Sequence, residues 1–311
     1  MHNNSRLLHE FSAPAKINLF LHVTGKRPNG YHEIETLFQF LDIEDHLTFE
    51  ITEDPAVIRE GDHHYCSPEE DLIIRAANLL KEYSYSGQAS LAQQYPEKNK
   101  LVEKSTTQKS QKGARIHIKK RIPPGSGLGG GSSNAATTLI ALNHLWEIGL
   151  SREQLIEISV QLGADVPVFL YGHACWATGI GEVLESYFIP EQWYCVAVPT
   201  VHVSTREVFS HPDLLSNHLP IGMPGNAQPF SLANTVNDLQ AITTMLYPEV
   251  QDTLNILDKF GPARMSGSGS SVFLRCDSSD EATEILEQLP RHITGFAARG
   301  LNHHPLSNYP N

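Results

Sequence analysis

Apolar and polar residues alternate from Lys16 to Val23 as K-I-N-L-F-L-H-V, a period of two that predicts a β-strand. Asn29-Gly30 then signals a turn, and residues 37–40 and 47–51 predict further strands. At Asp71 the period lengthens. Leu72, Ile73, Ala76, Leu79 and Leu80 predict a helix, with Asp71 placed to cap it. Residues 84–112 are rich in Gln, Lys and Ser and lack apolar periodicity, so they read as a polar surface insertion. Alternation returns at 114–119 and leads into a glycine-rich loop. A helix is predicted after that loop over 135–148. A second opens at Leu150-Ser151-Arg152-Glu153, with Leu155, Ile156, Ile158 and Leu162 at helical spacing. Beyond Gly172 the predicted order is strand 194–198, helices 232–245 and 249–260, strand 272–275, helix 280–289 and strand 296–299. That order suggests an α+β half built on an antiparallel sheet.

The loop is the most chemically informative stretch: Pro123-Pro124-Gly125-Ser126-Gly127-Leu128-Gly129-Gly130-Gly131-Ser132-Ser133. Glycine lets a backbone approach a ligand closely. A helix starting directly behind it aims free N–H groups and a positive dipole end at the loop. Together they form an anion site, to which Ser132 and Ser133 add hydroxyls that suit phosphate or Mg²⁺. A flexible linker would not run straight into a helix. A Walker loop would need a lysine that is missing here. The G-x-G-x-x-G spacing of a dinucleotide fold is met, but such a fold needs a strand soon after the helix, and a second helix follows instead.

Two further motifs frame this loop, Pro14-Ala15-Lys16-Ile17-Asn18-Leu19 before it and Met265-Ser266-Gly267-Ser268-Gly269-Ser270-Ser271 after it. The three, in this order, resemble the GHMP kinases, a family of small-molecule kinases. Gly30-Tyr31-His32-Glu33 and Leu162-Gly163-Ala164-Asp165-Val166-Pro167-Val168-Phe169 narrow the resemblance to its isoprenoid-pathway branch, over about residues 14–301. The resemblance implies a two-domain α+β fold. An N-terminal α/β nucleotide-binding domain (1–172) would join a C-terminal ferredoxin-like, substrate-binding domain (173–311), with the active site in the cleft between them.

The implied activity is ATP-dependent phosphorylation of a hydroxyl on a cytidine diphosphate alcohol, with Mg²⁺. Lys16 and Asp165 take the catalytic roles. Residues 123–133 hold the nucleotide, with Lys120 beside them, and Asn18, Tyr31, His32, Phe209 and Gly267 hold the substrate. Asp71 stands where the family has an Asn beside adenine, and Asn134 where it often has an Asp. From the residues alone, Asp165 serves either the acceptor hydroxyl or its own helix end. A carboxylate beside an ammonium is a weak base, so Asp165 acts either as the base or, with Lys16, as a clamp on the hydroxyl. Two other functions fit the same scaffold: a kinase for another small alcohol such as homoserine or mevalonate, and a ligand sensor without catalysis. The sensor would be expected to lack Lys16 or Asp165.

Composition narrows the partners. The 311 residues suffice for two domains, and 40% hydrophobic content is that of a globular protein. A net charge of −12 argues against nucleic acid and anionic membrane as partners. No apolar run reaches spanning length and no signal-peptide core follows Met1, so a cytoplasmic protein is expected, a monomer or weak homodimer. Four scattered cysteines without a C-x-x-C pair suggest idle thiols, and no metal-binding motif is present.

Overall fold

A computed structural model describes residues 7–61, 67, 69–94, 112–225 and 231–309. Strands β1 (Leu8–Lys26) and β2 (His32–Thr52) form one long antiparallel hairpin. Asn29-Gly30 closes it, with Gly30 at φ 88°. The two strands expected at 37–40 and 47–51 are parts of β2. The apparent gap arises because Asp45 occupies a buried position where an apolar residue would ordinarily continue the alternation. Its carboxylate is satisfied there by Lys120 Nζ (2.5 Å) and the amides of Arg121 and Ile122 (2.7 and 2.9 Å).

β1 departs from simple alternation as well. A bulge between Asn18 and Leu21 puts an extra residue into the strand and re-aims its side chains. Ile17, Leu19 and Phe20 therefore enter one core, while Leu21 and Val23 enter another. The polar side of the strand faces inward too, since Lys16, Asn18 and His22 are all buried.

The sheet runs β3 (Val57–Glu60), β4 (Gly113–Lys119), β2, β10 (Ile293–Leu301), β7 (Trp193–Pro199), β9 (Val272–Cys276), β8 (Arg264–Met265), with β1 and the hairpin β5 (Cys175–Thr178)–β6 (Val183–Ser186) joined to β2 off this path. Helix α1 (Leu72–Gln94) extends into the segment expected to be a polar insertion, and residues 95–111 lie outside the described residues. α1 packs with α2 (Gly130–Leu145), α3 (Arg152–Ser159) and α4 (Val166–Tyr171) over the N-terminal part of the sheet. Ile73, Ala76, Leu80 and Leu139 meet Phe38, Phe40, Leu47 and Phe49 there.

In the C-terminal half, α5 (Thr205–Ser210), α6 (Gln240–Leu246), α7 (Pro248–Leu257) and α8 (Ser279–Glu287) share a second core with β7 and β9. The helix expected over 232–245 is broken. A short 3₁₀ turn, Leu232–Asn234, precedes α6, and between them Asn237 Nδ2 donates to the carbonyls of Met265 and Gly267 (2.8 Å each). A third core brings Ile17, Leu19 and Leu41 together with Tyr194, Val196 and Phe273, so the two halves share a hydrophobic seam. Hairpin β5–β6 belongs to the N-terminal sheet because β5 pairs with β2. The 172/173 division expected from sequence falls just before this hairpin.

Candidate active site

Lys16 reaches the site from β1, and its side chain is buried. Its Nζ lies 3.0 Å from Asp165 Oδ2, donates to Asn18 Oδ1 at 2.7 Å, and sits 5.2 Å from the centre of the Phe38 ring. Asp165 precedes α4 but makes no side-chain cap on it. Its carboxylate is thus not spent on its own helix, and at 38% side-chain exposure it opens to the cleft.

That cleft, about 370 Å³, is walled on one side by the glycine loop. Gly129 ends the loop at φ 71° and ψ 17°, a left-handed conformation that glycine adopts without strain, and α2 begins at the next residue. The first amides of α2 have no partner within the helix, as at any helix N-terminus. The loop is fastened from several sides: the Lys16 amide donates to Leu128 O (2.9 Å), Ser126 Oγ to Pro123 O (2.7 Å) and the Ser271 amide to Ser126 O (2.9 Å). At Gly127 the two glycine-rich turns meet backbone to backbone. A Cβ there would fall 2.5 Å from Ser266 O and 2.8 Å from Gly269 O. Gly125 is covered from the C-terminal half by the His202 ring.

The other end of the cleft is aromatic. Phe209, on α5, lies with its ring centre 5.5 Å from that of His32, at the start of β2. Burial, helped by the positive charge of Lys26, pushes the His32 imidazole below its ordinary pKa, so it is neutral at pH 7. Gly267 adjoins Asn18 and Lys16, and Thr205 and Ser268 bridge by their hydroxyls (2.8 Å) along the same wall.

The cleft lining thus gathers Lys16, Asp165, Asn18, Phe209 and Gly267, together with Pro123, Pro124, Gly125, Ser126, Gly127, Gly129, Gly130, Gly131 and Ser132. Five expected residues are placed otherwise, among them His32, which is buried against Phe209 and absent from the lining. Lys120 is absent from the lining and its Nζ pairs with Asp45, yet it stands beside the loop's helical end, 3.3 Å from where a Cβ on Gly130 would fall. The Leu128 side chain is in the third core, and only its backbone serves the loop. Ser133 is buried behind Ser132, its Oγ without a hydrogen-bond partner. Tyr31 is 59% exposed and stands outside the lining.

Asp71 does cap α1, accepting from the Ile73 amide (2.9 Å), and its carboxylate pairs with Arg59. Sequence reasoning missed Phe38 and Thr205, whereas Ser268 stands inside the third motif that it singled out. Phe38 and Thr205 carry no local signal.

The loop fits a polyphosphate, with open amides, a backbone close enough to exclude side chains, and hydroxyls at its helical end. Among the described residues no three His, Cys, Asp or Glu are grouped to hold a metal ion. A cation here would depend on the phosphates for most of its ligands. No helix among them is long and apolar enough to cross a membrane.

A phosphate loop, a lysine–carboxylate pair beside it and an aromatic end to the same cleft define a small-molecule kinase. Residues 71–173 match the GHMP kinases N terminal domain and residues 223–294 the GHMP kinases C terminal domain. The chain belongs to this family of ATP-dependent kinases. It is 44% identical over 299 residues to the 4-diphosphocytidyl-2-C-methyl-D-erythritol kinase of Marinobacter nauticus, covering 94% of each chain. It is 44% identical over 290 residues to the same kinase of Pseudomonas putida, covering 93% of this chain and 92% of that one. A crystal structure of 4-(cytidine 5'-diphospho)-2C-methyl-D-erythritol kinase superposes with a TM-score of 0.72 at 31% identity, over 94% of this chain and 99% of the other. The mevalonate kinase of Methanococcus jannaschii, at 13% identity and a TM-score of 0.62 over 96% of this chain and all of the other, shares the fold.

Proposed function

We propose that this kinase transfers the γ-phosphoryl group of ATP to the 2-hydroxyl of 4-diphosphocytidyl-2-C-methyl-D-erythritol. The observation that carries the reading is the Lys16–Asp165 ion pair, set in one cleft between the glycine loop and the Phe209–His32 aromatic end.

Phosphoryl transfer asks a protein mainly to position its reactants and to neutralise charge. The loop amides and the start of α2 hold the phosphates. Mg²⁺, when bound, would neutralise charge between them, and the Ser132 hydroxyl, in the first turn of α2 and in the cleft lining, would offer it an oxygen. Asp165 gives one carboxylate oxygen to Lys16, which leaves the other to accept the hydrogen bond of the acceptor hydroxyl and aim its lone pair at the γ-phosphorus. In a loose transition state the proton leaves the hydroxyl late, so Asp165 orients first and receives the proton as the new P–O bond forms. Lys16 holds the carboxylate in place and offers its cation to the phosphoryl oxygens. Phe209 offers a ring face for the cytosine, with His32 packed beside it and Asn18 and Gly267 lining the stretch between.

ADP release, measured across a panel of alcohols, tests the substrate. Turnover is expected with the cytidylyl alcohol, and none above background with mevalonate or homoserine. Turnover on either of those without turnover on the cytidylyl alcohol would overturn the reading.

A further inference from the structure

The Lys16 ammonium takes its position from a chain of groups behind it. Asn18 presents its carbonyl oxygen to Lys16 Nζ (2.7 Å) and its amide nitrogen to Thr36 Oγ1 (2.9 Å). Thr36, fully buried opposite the bulge of β1, donates its one hydroxyl proton to the carbonyl of Phe20. A hydroxyl whose proton is committed can only accept from its next neighbour. The Asn18 NH₂ must therefore face Thr36, and the Asn18 carbonyl must face Lys16. Ser266 holds the backbone end of the same residue, accepting from the Asn18 amide (3.2 Å) while its Oγ donates to Gly127 O in the glycine loop (3.3 Å).

We propose that Thr36 is a positioning residue for the phosphoryl transfer: through its hydrogen-bond polarity it fixes the Asn18 side chain, which holds the Lys16 ammonium against Asp165 and the phosphate loop. Thr36 itself does not line the cleft. The sequence of groups is Phe20 O, Thr36 Oγ1, Asn18 Nδ2, Asn18 Oδ1, Lys16 Nζ, Asp165 Oδ2, and each member except Asp165 is buried. In a dry environment a fully satisfied chain of this kind is stiff, and a broken one leaves a polar group without a partner. The bulge makes the arrangement possible. With Asn18 paired to Phe38 and Leu21 to Thr36, three residues of β1 span two of β2.

The proposal rests on Lys16 acting in the transfer. Thr36→Val keeps the shape and removes the hydroxyl, and Thr36→Ser keeps the hydroxyl. For Thr36→Val, kcat is expected to fall about 10- to 100-fold, the scale of a misplaced reacting group, with both KM values within about twofold. Thr36→Ser is expected to retain kcat within about twofold. A folded Thr36→Val protein with wild-type kcat overturns the proposal. A Thr36→Ser protein that loses kcat tenfold overturns it too, and that test remains available if the valine variant does not fold. A loss shared by kcat and both KM values, in step with a lower melting temperature, would show a merely structural residue. Lys16→Met separates the two readings. If it retains turnover, the assignment of Lys16 fails. If it loses turnover while Thr36→Val does not, only the role of Thr36 fails.

Discussion

Asp165 has one oxygen on Lys16 and the rest of its carboxylate open to the cleft, which is what a group serving an incoming hydroxyl requires. Asp165→Ala is expected to lower turnover by about 10²–10⁴-fold, the usual contribution of a base or positioning group. ATP affinity by calorimetry should stay within a few fold, because the loop and not Asp165 holds the phosphates. Turnover above a tenth of wild type would remove Asp165 from the mechanism. Gly129 carries a different constraint. At φ 71° a β-branched residue is strained, and a Cβ would fall 2.9 Å from Phe169 Cζ and 3.0 Å from Lys16 Cε. Gly129→Val should therefore weaken nucleotide binding and lower turnover together. Unchanged calorimetric affinity for ATP would separate the loop from the nucleotide site.

Helix α5 is only six residues long, but it carries Phe209 to the aromatic end of the cleft. If the ring stacks on cytosine, far from the reacting hydroxyl, it binds ground and transition states equally, and its loss appears in KM. Phe209→Ala should raise KM for the cytidylyl substrate about 5- to 150-fold, from the roughly 1–3 kcal/mol of base stacking, and Phe209→Trp should largely restore it. Phe209 also packs on the second core, so the melting temperature should fall with the alanine variant. An unchanged KM for the cytidylyl substrate would end the stacking role. At this scale the sequence was readable where period and chemistry agree. The glycine loop, the strand carrying Lys16, the helix behind Asp71 and the antiparallel C-terminal half all lie where the pattern put them. It was unreadable where a buried polar residue interrupts the pattern. Asp45 made one strand look like two, and the same buried carboxylate pairs with Lys120. Thr36 gave no sign because its role depends on a bulge, which shows only once two strands are paired.

Across the whole molecule, the seam core and the contact between the two glycine-rich turns tie the halves into one site, and buried histidines make that assembly sensitive to acid. His304 is packed edge-on against Phe40 and Phe169, and burial takes its pKa down to about 3. Burial lowers His22 and His32 as well. An unfolded imidazole titrates near 6.5. Below that value the unfolded chain binds protons that the folded chain refuses. Stability is therefore complete above pH ~6.5 and declines as pH falls toward the folded-state values, by up to about 1.4 kcal/mol per pH unit for each such group. His304→Asn keeps an acceptor for the Leu306 amide that His304 Nδ1 now receives (3.0 Å). It should flatten the pH dependence of urea unfolding between pH 6 and pH 5 by about one proton. An unchanged slope would mean that His304 is protonated in the folded state.

This cleft delivers a phosphoryl group to one particular hydroxyl, and the phosphorus-31 spectrum of the product shows which one. Carbon 2 of a 2-C-methylerythritol carries a methyl group and no hydrogen. After incubation with ATP, Mg²⁺ and the cytidylyl alcohol, we expect one new phosphomonoester resonance without coupling to a carbinol proton, formed in step with ADP. A monoester resonance split by such a proton would place the phosphoryl group on a different hydroxyl, and its absence alongside ADP formation would mean that water is the acceptor; either result would contradict the account.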